Sequence, residues 1–243
     1  MKDYMINQVD VAYGDLKIIE QLTLEIPLGK ITTIIGPNGC GKSTLLKAMG
    51  RIMKTQKGSI YLDGAEEVVS YGRYPYQKGL GKLKEEDKKI IDWALEVTKL
   101  ASIRNHLVDN LSGGQRQRVW IALALAQQTD IILLDEPTTY LDMAYQLEVL
   151  ELLEDLNREY GCTIVMVLHD LNLASRYADF LVALKQGEII CSGTPNEVIT
   201  KETIRKVYDI DADIITDSRT NKPILVSYQL LNKKNSDKKR VAS

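Results

Sequence analysis

A chain of 243 residues, 44% apolar and 26% charged, has ordinary globular composition and length enough for one large domain with an ample core. Its 31 Lys and Arg against 33 Asp and Glu leave a formal charge of −2, so no global pull toward nucleic acid exists. The three cysteines, Cys40, Cys162 and Cys191, form no CxxC pair, so neither a disulfide framework nor a zinc site is suggested, and a reducing, cytosolic compartment fits. The longest apolar run, Val119–Ala126, is far short of the roughly 20 residues of a membrane span, and Met1-Lys2-Asp3-Tyr4 lacks the apolar core of a signal peptide. Work at a membrane would therefore go through a partner.

In chain order, the first thirty residues alternate in β fashion (Met5, Val9, Val11; Leu22, Leu24, Ile26), with turns at Tyr13-Gly14-Asp15 and Pro27-Leu28-Gly29. Ile31–Ile35 is a β-branched run of buried-strand type, followed by a glycine loop and a helical pattern over Ser43–Ile52. Ser59–Leu62 reads as a short strand. From Ala65 to Gln128 the pattern is mostly helical, with helices over Glu85–Leu100 and Gly114–Ala126. Alternation then resumes: strand Ile131–Leu134, helix Tyr145–Tyr160, strand Thr163–Leu168, helix Leu171–Tyr177, and a hairpin of Phe180–Leu184 and Glu188–Cys191 around Gln186-Gly187. Strands separated by helices predict a parallel sheet covered on both faces, here with an inserted helical lobe over about 65–127. Lys233, Lys234, Lys238, Lys239 and Arg240 read as a solvated, disordered basic tail over about 232–243.

Three motifs carry chemistry. Gly36-Pro37-Asn38-Gly39-Cys40-Gly41-Lys42-Ser43-Thr44 is a full GxxxxGK[ST] between a strand and a helix. Its glycines let backbone N–H groups curl around phosphate oxygens, and the helix offers its positive end. Lys42 would reach the β- and γ-phosphates, and the Ser43 hydroxyl would ligate Mg²⁺. The second motif is the apolar strand Ile131–Leu134 ending in Asp135-Glu136, two carboxylates at the ligand crevice of an α/β sheet. Successive strand residues point to opposite sides, so the acids divide their roles. Asp135 would bind Mg²⁺, directly or through water, and Glu136 would act on the attacking water as general base. The third is Leu111-Ser112-Gly113-Gly114-Gln115, a Ser-capped helix start with two glycines, hence a second anion site.

On Leu111–Gln115 the chain resembles the ABC transporter ATPases, whose signature motif this segment matches; the resemblance covers residues 4 to about 228. It implies a single ATP-binding domain, α/β of the P-loop NTPase type, with parallel core sheet, antiparallel N-terminal β portion and the helical lobe. Tyr13 occupies the place of the aromatic that stacks on adenine. Thr138–Asp142 matches the D-loop, with Asp142 at its end, and His169 matches the switch histidine that contacts the γ-phosphate. The resemblance further implies ATP and Mg²⁺ as cofactors, and a second copy facing the first head to tail so that Ser112, Gly113, Gly114 and Gln115 close the partner's site. Transmembrane permeases and, indirectly, a substrate-binding protein are the other implied partners, placing the chain at the cytoplasmic face of the membrane. Gly-Cys-Gly-Lys in the loop, Gly72-Arg73-Tyr74-Pro75-Tyr76-Gln77 and Asp135–Asp142 resemble the subfamily that serves ferric siderophore, haem and cobalamin importers, the siderophore members best. An ABC ATPase of DNA repair or translation would carry two cassettes or a coiled-coil insertion, and this chain has neither.

One family element is missing. The Q-loop, a strand ending in a Gln that helps hold Mg²⁺ and water and meets the permease, has no counterpart; Leu62-Asp63-Gly64 runs straight into Ala65-Glu66-Glu67. Lys42 and Ser112 are only 70 positions apart, a few tens fewer than the family pattern. Gln77 belongs to the segment beyond the gap. Two explanations stand: an in-frame deletion, or a stretch omitted and renumbered over. The deletion would leave either an importer subunit or an ATP-binding remnant uncoupled from transport.

Overall fold

The computed structural model describes residues 4–13, 16–50, 57–61, 85–104 and 111–231. An antiparallel sheet comes first, from β1 (Tyr4–Tyr13), β2 (Leu16–Ile26) and β4 (Lys57–Tyr61), with β1 in the middle. The larger sheet has five strands in the order β5 (Ile131–Asp135), β6 (Thr163–Val167), β3 (Ile31–Ile35), β7 (Phe180–Lys185), β8 (Glu188–Gly193). Its first four strands are parallel, and β8 returns antiparallel through the expected Gln186-Gly187 turn. The helices are α1 (Lys42–Met49), α2 (Glu85–Val97), α3 (Gly113–Ala126), α4 (Met143–Tyr160), α5 (Leu171–Tyr177), α6 (Pro195–Val198) and α7 (Lys201–Tyr208). A hairpin of β9 (Ile210–Thr216) and β10 (Pro223–Leu230) follows.

The fold is thus α/β, as the periodicity predicts, with the antiparallel N-terminal portion that the family resemblance implies. Strand alternation divides the core in two. Ile132, Ile164, Met166, Leu181 and Ala183 face α2–α5 and α7, in one apolar cluster. Ile131, Val165, Val167, Val182 and Leu184 face α1 and the β1–β2 hairpin, in the other. Both faces of each strand are covered, which is why these strands read as unbroken apolar runs. Among the described residues β5 is one edge of the sheet, with β6 its only strand partner there. Of the expected helical lobe, α2 and α3 are described. The Gly64–Ala65 junction, Gly72–Gln77 and the basic tail lie outside the described residues, and no described helix is long and apolar enough to cross a membrane.

The sequence reading ended at Cys191 and left α6, α7, β9 and β10 unassigned. Their signals were present. Thr194 and Glu197 form a capping box with Pro195 in the first turn, and Thr200 caps α7 through the Thr203 amide. Side chains then bind this unit to α5: Asn172 accepts from the Leu225 amide at 2.8 Å and donates to its carbonyl at 3.1 Å. Ser175 Oγ donates to Pro223 O at 2.6 Å.

Two glycines separate backbone strain from close contact. Gly161, at φ 65°, ends α4 in open space. Gly187, at φ 82°, sits so close to β2 that an added Cβ would lie 2.0 Å from Ile18 O. Gly161→Ala should therefore cost only the left-handed penalty, about 1 kcal/mol. Gly187→Ala should cost several times that, because backbone must move. Urea midpoints of the two variants check this ordering; equal shifts would contradict it.

Candidate nucleotide site

The site forms where β3 ends between β6 and β7. Gly36 leaves the strand against β7, so tightly that a Cβ there would lie 2.1 Å from Leu184 O. Gly41, at φ 105°, starts α1 with no side-chain cap, so the first amides of α1 keep no side-chain acceptor. This is the anion-ready helix end that the motif predicts. Lys42 is buried, its Nζ donating to Gly36 O and Pro37 O at 3.0 Å each. Cys40 is also buried, which pushes its thiol pKa up and keeps the sulfur a packing group. Its carbonyl accepts from the Gly187 amide at 2.8 Å, so the β7–β8 turn braces the loop.

From the neighbouring strand ends come the two acids, and they part as expected. Asp135 Oδ1 accepts from Ser43 Oγ at 2.8 Å. Glu136, at φ 52°, turns its carboxylate the other way: Oε1 is 2.6 Å from His169 Nε2, and Oε2 accepts from Thr139 Oγ1 at 3.1 Å. The bond from His169 is the main cause that holds the Glu136 carboxyl below its usual value, against the opposing effect of burial. His169 follows β6, and Asp170 fixes it there by accepting from the Asn172 and Leu173 amides to cap α5. A cleft of about 410 Å³ opens between Asn38, Gly39, Gly41–Thr44, Glu136, His169 and Ile18 of β2. A larger cavity, about 630 Å³, lies at the opposite ends of β3, β5 and β6 beside Trp93 and Tyr160. It has no glycine loop or capless helix start, so the smaller cleft is the candidate site.

Lys42, Ser43, Thr44, Asn38, Gly39, Gly41, Asp135, Glu136 and His169 are thus brought together. Gly36, Pro37 and Cys40 stand behind the cleft, holding Lys42 and the loop. Tyr13 closes β1 opposite Leu16, and the adenine contact assigned to its side chain lies outside what is described. The remaining expected residues lie elsewhere in the chain. Ser112 caps α3, accepting from the Gln115 amide at 3.3 Å while Gln115 Oε1 accepts from the Ser112 amide at 3.0 Å. Gly114 packs so closely on Tyr145 that a Cβ would lie 2.9 Å from its ring. Asp142 caps α4 through the Tyr145 amide. None of Ser112, Gly113, Gly114, Gln115 and Asp142 lines the cleft of its own chain. Sequence reasoning placed Thr139 in the D-loop match but not as the partner of Glu136, and it missed Ile18 at the cleft wall, which left no readable signal.

Known proteins place this geometry. A family model described as ABC transporter matches residues 19–139. The iron(3+)-hydroxamate import ATP-binding protein of Bacillus subtilis (strain 168) is 49% identical, over 95% of this chain and 97% of the relative. The ferric enterobactin transport ATP-binding protein of Escherichia coli (strain K12) is 43% identical, over 90% of this chain and 92% of the relative. Among solved structures, an inward-facing metal-chelate type ABC transporter matches with TM-score 0.81 and 26% identity, over 93% of this chain and 97% of that one. The cassette MJ0796, solved as a dimer in a post-hydrolysis state bound to ADP and Pi, matches with TM-score 0.63 and 29% identity, over 79% of this chain and 98% of that one. The hydroxamate alignment spans 260 positions, of which 95% of 243 residues, about 231, come from this chain; about 29 positions of the relative have no counterpart. The enterobactin alignment, 248 positions against 90% of 243 residues, leaves about 29 as well. That shortfall has the size read from the Lys42–Ser112 spacing. With a glycine loop, paired acids and histidine in one cleft and these relatives along nearly its whole length, the chain belongs to the ABC transporter family as an ATP-binding subunit.

Proposed function

We propose that this chain hydrolyses ATP to power uptake of a ferric siderophore or related iron complex through membrane permeases. The observation that carries the ATPase part is the cleft in which Lys42, the Ser43–Asp135 pair and the Glu136–His169 pair converge. Relatives named for iron(3+)-hydroxamate and ferric enterobactin transport support the cargo class. Bound Mg²⁺–ATP supplies the phosphoryl group and the charge that the cleft receives. The residues fit it. Amides of the loop and α1 offer an anion site, and Lys42 exchanges two carbonyls for phosphate oxygens. Ser43 and Asp135 are hard oxygen ligands of the kind Mg²⁺ takes one or two at a time, completing its shell with phosphate and water. Among the described residues no group of three or more His, Cys, Asp and Glu gathers, in keeping with a metal that arrives with its nucleotide.

Glu136 is the base of this reading, and its bond to His169 sets its state. A carboxylate held ionised by that bond is a weak proton acceptor, so His169 must turn toward the phosphate before Glu136 can take a proton from water. Ser112 and Gly113 are exposed at a capped helix start away from the cleft, with Gly114 buried beside them, which supports this segment serving a second copy, as does the dimeric relative bound to ADP and Pi. Permeases as partners, an indirect binding protein and a place on the cytoplasmic face of the membrane follow from the importer reading. The shortfall of about 29 positions favours one further reading, an ATP-binding remnant uncoupled from transport. ATPase activity with and without cognate permeases separates the two: stimulation fits the importer subunit, indifference the remnant.

Four outcomes follow from the site. Lys42→Ala should lower turnover about 100-fold or more, with the fold retained by circular dichroism. Glu136→Gln should bind ATP normally, lose at least about 100-fold in turnover, and run as a dimer with ATP on size exclusion; a persistent monomer contradicts the two-copy site. Because the Glu136 carboxyl titrates below 4.5, its bonds contribute stability present above that value and lost as pH falls through the lowered one. The stability gap between parent and Glu136→Gln should therefore narrow on acidification from about pH 6 to 3, and a constant gap would refute the assignment. Finally, among the described residues β5 is a sheet edge, and an uncovered edge is an aggregation liability. Inserting a relative's segment between Gly64 and Ala65 should raise soluble yield and ATPase activity together, whereas a monodisperse, permease-stimulated parent would show the segment dispensable.

A further inference from the structure

The geometry points to Tyr208, at the end of α7, as a positioning residue for the glycine loop, its hydroxyl receiving the Gly36 amide when nucleotide fills the cleft. The inference rests on the nucleotide reading above. The Tyr208 hydroxyl is wholly buried, yet among the described residues it makes no hydrogen bond of normal geometry. It faces the Gly36 amide and lies near Cys40, and burial, the leading cause, drives its acidity well below that of an ordinary phenol. A buried hydroxyl without a partner is costly, and phenylalanine would fill the same space without that cost. A partner gained in the loaded state would offset that cost.

Three chain ends meet at this point. β3 ends at Gly36, which is pressed against Leu184 O of β7. β7 ends at Lys185, whose Nζ donates to Lys206 O and to Asp209 Oδ2, both at 2.8 Å. These bonds fasten the last turn of α7, whose C-cap Asp209 stands at φ 57°, and so fix where Tyr208 points. Meanwhile Lys42 holds Gly36 O and Pro37 O. When phosphate draws Lys42 away, residue 36 loses that tie and, being glycine, is free to rotate. Rotation brings its amide onto the waiting phenol oxygen, so that α7 stiffens the loop only in the loaded state.

The test uses the full chain, Mg²⁺–ADP titrated by calorimetry, and thermal unfolding without nucleotide. Tyr208→Phe should raise the Kd about five-fold, the effect of one hydrogen bond, while leaving the nucleotide-free melting temperature unchanged or higher. Lys185→Met should raise the Kd in the same direction, and adding Tyr208→Phe to it should have less effect than Tyr208→Phe alone. A Tyr208→Phe Kd within about two-fold of the parent overturns the inference, since no hydrogen bond was lost on binding. So does a weaker Kd accompanied by a lower nucleotide-free melting temperature, which marks a general packing role. A parent that binds no Mg²⁺–ADP overturns the nucleotide reading itself and this inference with it; a parent that binds while Tyr208→Phe binds equally overturns the inference alone.

Discussion

The parallel pairing of β3 with β6 and β7, and of β6 with β5, is the constraint from which the site follows. Parallel strands end on the same side, so whatever follows each one is delivered to one crevice. After β3 comes the glycine loop, after β5 the Asp135-Glu136 pair, after β6 His169. The two faces of the sheet are buried in separate apolar clusters, and slipping one strand by a residue would exchange those clusters. Register is therefore held by the core, and the site inherits its precision from it. The Ser43–Asp135 bond, across 92 positions of sequence, is a direct consequence of that register.

Much of this was legible because the signals were local. The unbroken apolar runs named the core strands, Gly41-Lys42-Ser43 named the helix start, and Gln186-Gly187 named the hairpin. That the Asp135 and Glu136 carboxylates point apart was legible from alternation, although Glu136 reaches its position by a left-handed turn at φ 52° rather than by extended strand. The end of α2 was not legible. Its helix stops at Val97 because Lys99 takes φ 58°, with the Leu100 amide bonding to Leu95 O, a closure for which glycine is the usual signal. The C-terminal unit was passed over because its helices are short and its strands half-exposed. Which side chains meet, such as Asn172 with Leu225, depends on packing and leaves no periodic trace.

That C-terminal unit changes how the site is understood. It touches α5, which carries His169 at its start, and through Tyr208 it reaches Gly36. The loop is thus braced by the β7–β8 turn at Cys40 and flanked by α7, while the acids are braced by Ser43 and His169. By contrast, this chain is short by about 29 positions against the hydroxamate and enterobactin relatives. The phosphate-facing elements all lie outside that shortfall.

The central claim is that the 243-residue chain still assembles a complete phosphate cradle from β3, β5 and β6. Calorimetric titration of ADP into the purified chain, with and without Mg²⁺, tests it most directly. The account predicts one nucleotide bound per chain, with affinity raised by the metal through Ser43 and Asp135. An absence of binding, or binding indifferent to Mg²⁺, would contradict it.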